Sequence, residues 1–169
     1  ESPVISGKLD GGYALATRTV LSHLAFAVKP EALPDAAATK FDAPITLEGD
    51  LSSIIGGKTE LSNLRIASSG TVQADGRVTF ENGLLAVDLK GALPEIGKLL
   101  ADARGAAQFR ATIQGVPSAL AIDATVEAAK AELAGRTLTD LSLNAKGVAD
   151  RSAPQATLKA SGTLDKQKL

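Results

Sequence analysis

The sequence predicts an all-β chain that folds as a long antiparallel sheet, with one short helix near residues 95–104. Three observations support this prediction. Apolar and polar residues alternate through most of the chain, glycine-containing dipeptides separate the alternating stretches, and a single stretch shows helical spacing. Strict alternation places apolar side chains on one face of a strand and polar side chains on the other.

Six stretches show the alternation clearly. In each, an apolar residue or glycine occupies every second position: residues 45–51, 85–89, 109–113, 120–126, 141–145 and 156–160. Each stretch therefore predicts a strand with one apolar and one polar face.

Tight turns are predicted at three places. Asp75-Gly76 separates residues 71–74 from 77–80, and Asn82-Gly83 separates that stretch from residues 84–90. Asp10-Gly11-Gly12 has the same character. Because these residue types tolerate positive φ, the dipeptides indicate hairpins, and the whole pattern predicts an antiparallel meander.

One helix interrupts the pattern. Its apolar residues recur at helical spacing: Ile96, Leu99, Leu100 and Ala103. Pro94 fits the first helical position and Gly105 the stop, so we expect an amphipathic helix of at most about three turns. Its apolar residues are expected to pack on the apolar sheet face as a plug. Residues 30–40, which include Pro34, indicate a loop that holds one helical turn.

A short repeat accompanies the predicted strands. Residues 18–27 (RTVLSHLAFA) align without gaps to residues 58–67 (KTELSNLRIA), and residues 136–144 (RTLTDLSLN) repeat the pattern with one residue deleted. Chance similarity is the alternative in a chain this rich in leucine, alanine and threonine. If the repeat is real, Leu24, Leu64 and Leu141 should occupy equivalent inward positions, and the chain is a repeat array that extends at both ends.

Composition excludes several classes of function. The 169 residues include 18 basic and 19 acidic ones in mixed order, so there is no basic field for nucleic acid. There is no cysteine, which excludes disulfides, thiolate zinc sites and iron–sulfur clusters. The sequence begins with Glu1 and contains no methionine, so we interpret it as a piece of a longer protein.

No catalytic, cofactor or metal site is predicted. His23 is the one histidine and cannot form a histidine-based metal site alone, so a solvated side chain is the simpler interpretation. Gly56-Gly57-Lys58-Thr59 resembles the end of a phosphate-binding loop, but the earlier glycine is replaced by Ser52 and strand-like sequence follows. The carboxylates occupy polar strand positions or turns. The chain is therefore not expected to be an enzyme.

The apolar face is the remaining candidate site. Its predicted members are Leu47, Leu64, Ile66, Val78, Phe80, Leu85, Val87, Leu89, Phe109, Ile113, Leu120, Ile122, Val126, Leu141, Leu143 and Leu158. A single bent sheet would turn them into an open channel for acyl chains or an apolar strand. A filled sandwich is the alternative, and the alternation alone does not separate the two. Aromatic residues are only 3% of the chain, which leaves volume that a filled core does not tolerate.

Four segments carry a resemblance to a known family: GLLAVDLKGALP (83–94), LLADARGAA (99–107), GVPSALAIDA (115–124) and LAGRTLTDLSL (133–143). They resemble the TamB family of proteobacterial envelope proteins, in particular its alphaproteobacterial members. The resemblance covers roughly residues 60–165, and AsmA-like proteins share much of it. The family is also similar to the bridge-like lipid transfer proteins.

The resemblance implies a periplasmic part of a large protein anchored in the inner membrane of a Gram-negative bacterium. Such a body is a long β-sheet curled into a taco-like hydrophobic groove, and residues 1–169 would be one slice of it. The implied partners are phospholipid acyl chains, nascent outer-membrane β-strands and a TamA-like barrel, without a cofactor. The implied function is phospholipid transport toward the outer membrane, support of outer-membrane protein assembly, or both. A structural β-domain with a dry packed core, like an adhesin stalk, is the alternative.

Overall fold

The all-β prediction is confirmed. The computed structural model describes residues 5–33, 35–150 and 153–168, and most of them lie in strands. The strands, in chain order, are β1 (Ile5–Ala14), β2 (Thr19–Val28), β3 (Ile45–Ile54), β4 (Thr59–Ser68), β5 (Val72–Glu81), β6 (Leu84–Leu93), β7 (Ala103–Gly105), β8 (Ala107–Val116), β9 (Ala119–Leu133), β10 (Arg136–Asp150), β11 (Gln155–Leu164) and β12 (Gln167–Lys168).

All twelve strands form one open antiparallel sheet. Its order is β1-β2-β3-β4-β5-β6-β8-β9-β10-β11-β12, so each long strand pairs with its neighbours in sequence. The short strand β7 pairs with the far end of β9, where β9 extends beyond β8. Among the described residues, β1 lies at one edge of the sheet, and β11 with its two-residue partner β12 lies at the other.

The two rims of the sheet, where strands end, differ in their connections. At one rim, here called the turn rim, consecutive strands are joined by the short segments 15–18, 55–58, 82–83 and 117–118. At the opposite rim, the loop rim, two long connections cross between strands: residues 29–44 and residues 94–106. Among the described residues, the long connections that can fold over a face of the sheet lie at the loop rim.

One of the three predicted turns is confirmed and two are wrong. Asn82 and Gly83 form the β5–β6 turn with φ of 50° and 77°, as the dipeptide predicts. Asp10-Gly11-Gly12 lies within β1 and Asp75-Gly76 within β5. At Gly76 a Cβ atom would collide with the Asp88 carbonyl oxygen. This glycine therefore serves close packing between strands and not a turn.

The predicted helix is much shorter than expected. Residues Ile96–Lys98 form a single 3₁₀ turn, and Ala103 belongs to strand β7, where it pairs with Leu133. Asp102 takes a φ of 60°, which a helix does not allow, so the helical stretch ends before it. The loop predicted at residues 30–40 holds a 3₁₀ turn (Pro30–Ala32) and one α-helical turn, α1 (Asp35–Ala38); Pro34 lies outside the described residues.

The predicted plug is correct in part. Ile96 packs against the most buried cluster of the sheet, which consists of Ala107, Ala128, Ala131 and Leu138. Leu99 is half-buried, whereas Leu100 is exposed and does not belong to a packed face. The 3₁₀ turn has too few residues to present all four predicted side chains to the sheet.

Ile96→Asp should destabilise the chain by about 2 kcal/mol, because it removes a packed side chain and places a charge against the alanine-lined cluster. Leu100→Asp is the matched control, since Leu100 lies four residues away and is exposed. Urea unfolding of both variants measures the effect. Equal stability of the two would contradict the packing of the 3₁₀ turn on the sheet.

The two long connections are joined to each other at the loop rim. The Lys98 Nζ atom lies 2.6 Å from the Asp42 Oδ2 atom, and the Ser68 hydroxyl donates to the Ala43 carbonyl oxygen at 3.1 Å. The hydrogen bond to Asp42 raises the pKa of Lys98.

The described residues contain no helix with the length and apolarity that a membrane span requires.

The repeat coincides with strand starts. Its three copies begin at or beside the first residues of β2, β4 and β10. Leu24, Leu64 and Leu141 are buried or half-buried, as their equivalence predicts. Just before the leucine, Asn63 and Asp140 have φ of 49° and 50°, and the pairing register shifts at both positions. The polar position before the leucine of the repeat is therefore a β-bulge in two of the three copies.

Candidate functional site: an uncovered apolar face

Strand register brings apolar residues into continuous rows across the sheet. Residues that pair directly in an antiparallel sheet lie on the same face. One row crosses all ten long strands through Gly7, Phe26, Leu47, Ile66, Ala74, Gly91, Phe109, Val126, Leu143 and Ala160. The face that contains this row is called the apolar face below.

All sixteen residues predicted for the apolar face lie on it. A second row shows the same continuity, passing through Leu51, Leu61, Val78, Val87, Ile113, Ile122, Gly147 and Ala156. In the eight ten-residue strands, no position of this face carries a charged side chain. Strands of ten residues are ~34 Å long, so the face is wide enough for an extended acyl chain.

The apolar face has little cover. A compact monomer of this mass exposes about 7,800 Å², but this chain exposes 11038 Å². Of the sixteen predicted residues only Leu64 is fully buried, and Phe80 and Leu158 are exposed. Among the described residues, the segment with Ile96 is the one stretch outside the sheet that packs against the buried cluster on this face. The sheet is a single layer.

The opposite face is polar and carries cross-strand ion pairs. Its central row passes through Glu48, Arg65, Asp75, Lys90, Arg110, Thr125, Asn144 and Lys159. The Arg65 Nε atom lies 3.7 Å from Asp75 Oδ1, and Lys146 Nζ lies 2.6 Å from Asp123 Oδ2. These carboxylates are solvated surface groups, as the sequence predicts, and exposed pairs of this kind contribute little to stability.

Surface depressions also occur on the polar face. One, of about 560 Å³, is lined by Lys90, Arg110 and Glu127, and a second, of about 620 Å³, lies beside Arg77 and Asp88. Both are gaps between long charged side chains on this face of the sheet.

The sequence did not predict the polar cluster at Asp50. The His23 Nδ1 atom lies 2.8 Å from Asp50 Oδ1, and the Asn63 side-chain amide donates to Asp50 Oδ2 at 2.8 Å. The bond from Asn63, followed by that to His23, lowers the pKa of Asp50. Asn63 reaches Asp50 because it sits in the bulge of β4. The same position of the repeat holds asparagine in one copy and aspartate in another. Both residue types adopt the left-handed conformation more often than most, so this position could have been predicted to have a positive φ.

Asn63→Gly should raise the pKa of Asp50, because it removes the donated hydrogen bond while glycine keeps the positive φ. Asn63→Val should raise it too, and in addition cost about 1–2 kcal/mol from the left-handed backbone. NMR titration of the carboxyl and urea unfolding separate the two effects. An unchanged Asp50 pKa in both variants would disprove the contact.

The Asp50 contact also predicts a pH dependence. Since the folded pKa lies below the unfolded value, ionised Asp50 stabilises the fold above the unfolded pKa. This contribution is lost as pH falls through the folded pKa. The wild-type chain should therefore lose more stability on acidification than Asn63→Gly, measured from neutral pH to below the Asp range. A parallel decline of both chains would contradict the prediction.

No family model, curated protein sequence or solved structure matches the chain. The sheet itself is therefore the source of the functional indications. Its distinguishing property is an apolar face that is continuous over ten strands and, within the described residues, lacks a second layer.

Proposed function

We propose that the chain binds phospholipid acyl chains on its apolar face and is one slice of a longer lipid-conducting sheet. The observation that supports this proposal is the continuous, uncharged and largely uncovered row of apolar side chains described above. An uncovered apolar area of this extent marks an interaction surface in a soluble protein.

Acyl chains suit this surface chemically. Moving each methylene group from water onto an apolar surface is worth up to ~0.8 kcal/mol, so a chain lying along the face gains affinity with length. In the eight ten-residue strands the face offers no charge to pair with a headgroup, so headgroups would remain in water at a rim. A dry packed core, the structural alternative, needs a second layer, and the described residues supply little beyond the segment around Ile96.

The wider setting follows the TamB-like resemblance. We place the slice in the periplasm, within a parent protein anchored in the inner membrane and working with a TamA-like barrel. The open sheet is consistent with a slice. In the described part of the chain, the outer edge of β1 and the part of β11 outside its short pairing with β12 are unpaired, so further strands can be added there. Transport toward the outer membrane is the function that this setting favours.

Photo-crosslinking tests the proposal directly. A benzophenone side chain at Val87 or Ile122 samples the apolar face, whereas one at Asp88 or Asp123 samples the polar face beside it. We expect the first pair to capture phospholipid in cells and the second pair not to. Native mass spectrometry after mild extraction should show the lipid bound without crosslinking.

The outcome distinguishes the candidate functions. Equal labelling of both faces, or none at either, would reject lipid binding and favour the structural β-domain. Labelling of Val87 by protein in place of lipid would favour the assembly of outer-membrane proteins.

Strand β1 supports this second candidate. All of its ten residues are exposed, and its outer edge is free among the described residues. A free edge of this length can receive another strand through backbone hydrogen bonds. A nascent outer-membrane β-strand paired with this edge would place its apolar side chains beside Ile5, Leu9 and Tyr13, on the same face of the sheet. Crosslinkers at Leu9 should capture such a strand, because it would lie directly beside β1.

A further inference from the structure

We propose that two joined hairpin turns at the turn rim dock the chain onto the surface of an anionic phospholipid bilayer. The turns are residues 15–18, between β1 and β2, and residues 55–58, between β3 and β4. Five exposed residues and the half-buried Lys58, in and beside these turns, form the turn patch: Tyr13, Leu15, Arg18, Ile54, Ile55 and Lys58.

The two turns form one surface. The Ile55 backbone N–H donates to the Arg18 carbonyl oxygen at 3.1 Å, which ties the second turn to the first. Ile54 pairs with Thr19 on the intervening strand, so the strand ends are aligned. The tips are therefore held side by side, and both can reach the same surface at once.

The apolar residues of the turn patch are unusually exposed. Leu15 is 81% exposed and Ile55 60%, although both are large aliphatic residues at turn tips. The one tyrosine of the chain, Tyr13, is also exposed close to these tips. Segments that lie in the headgroup region of a bilayer combine aliphatic side chains with amphipathic rings, and the turn patch has this composition.

The charge of the two turns favours an anionic partner. They contain Arg18 and Lys58 and no carboxylate. Lys58 also contacts Glu60 on β4, whereas Arg18 has no ion pair within the described part of the chain. Basic residues close to inserted aliphatic tips add electrostatic attraction to anionic lipid.

The loop rim lacks this combination, so it is not a general property of the turns in this sheet. Its tight turns carry Ser69-Gly70, Ala134-Gly135 and Asp165-Lys166, without a large apolar residue at the tip. A protein partner is less suited to the turn patch, because two narrow tips offer far less area than a stable protein interface requires.

Vesicle binding of the whole chain tests the proposal. The sequence contains no tryptophan, so Leu15→Trp introduces a single reporter. We expect its emission to shift to the blue with vesicles rich in phosphatidylglycerol, and much less with pure phosphatidylcholine. Leu15→Ser combined with Ile55→Ser should weaken binding at least tenfold in flotation assays. Arg18→Gln should weaken binding to the anionic vesicles alone.

The matched control lies at the opposite rim. Leu100 and Leu133 are 54% and 41% exposed, and Leu100→Ser with Leu133→Ser should leave binding unchanged. Equal loss in the control, or full binding by the turn-patch double variant, would overturn the proposal. So would a blue shift that depends on protein concentration without vesicles, because that indicates a second copy of the chain. The emission of the reporter at position 15 comes from the turn itself, so this measurement distinguishes docking of the turn patch from lipid held on the apolar face.

Discussion

Val87→Asp should abolish capture of acyl chains by the apolar face while the sheet remains folded. Val87 lies in mid-strand, paired with Val78 on one side and Ile113 on the other. A carboxylate there must either stay hydrated or be desolvated by the bound chain, and both outcomes oppose an apolar ligand. We expect crosslinking of lipid at Ile122, two strands away in the same row, to fall at least tenfold.

Stability should change less than in a filled core. Val87 is half-buried on a single-layer sheet, so water reaches the new carboxylate and the expected cost is about 1–2 kcal/mol. Ala86→Asp is the matched control, because Ala86 is the next residue and lies on the polar face opposite Gln114. Retention of lipid by Val87→Asp, or its loss in Ala86→Asp, would reject the assignment of the ligand to the apolar face.

Gly91→Val should produce the largest loss of stability that a single substitution in the sheet interior causes. A Cβ atom at Gly91 would collide with the Gln73 carbonyl oxygen and lie 2.7 Å from the Phe109 ring, which packs over the glycine from the neighbouring strand. Strand β6 is hydrogen-bonded to β5 on one side and to β8 on the other, so its backbone cannot move without disturbing both sets of hydrogen bonds. Overpacking of this kind costs about 3 kcal/mol, and we expect the urea midpoint to fall accordingly.

Gly12→Val is the control for that substitution. Gly12 also lies within a strand, but no atom stands within 4 Å of the position of its Cβ atom. Valine favours extended backbone, so the change should be neutral or slightly stabilising. Equal destabilisation of the two variants would show that loss of glycine, and not the contact with Phe109, determines the cost.

The sequence was sufficient to predict which side chains of each strand lie on the apolar face. In an alternating strand the side chains divide into two sets, one on each face, and only one set is free of charged residues. That set forms the apolar face, so every residue predicted for the face lies there. The Asn82-Gly83 turn was equally predictable, because both residues adopt the positive φ that a two-residue hairpin requires. Local chemistry decided these features.

The incorrect predictions concern features that non-local contacts decide. Asp75-Gly76 has turn chemistry, but the space around Gly76 is filled by Leu89 and the Asp88 backbone of the next strand. The helix near residues 95–104 ends early because residues Ala103–Gly105 gain hydrogen bonds by pairing with β9. The fifteen-residue length of β9 and β10 is what makes that pairing available, and alternation over residues 120–126 did not reveal it.

The strictly sequential strand order has a consequence for the order in which the chain folds. Nearly every strand pairs with the strand that precedes it in sequence, and most of these pairs are joined by four residues or fewer. Hairpins of this kind close quickly and independently. The two steps that need a longer loop to close are β2 with β3 and β6 with β8, across residues 29–44 and 94–106. Folding should therefore start within separate hairpins, and joining them at these two seams should be the slow event.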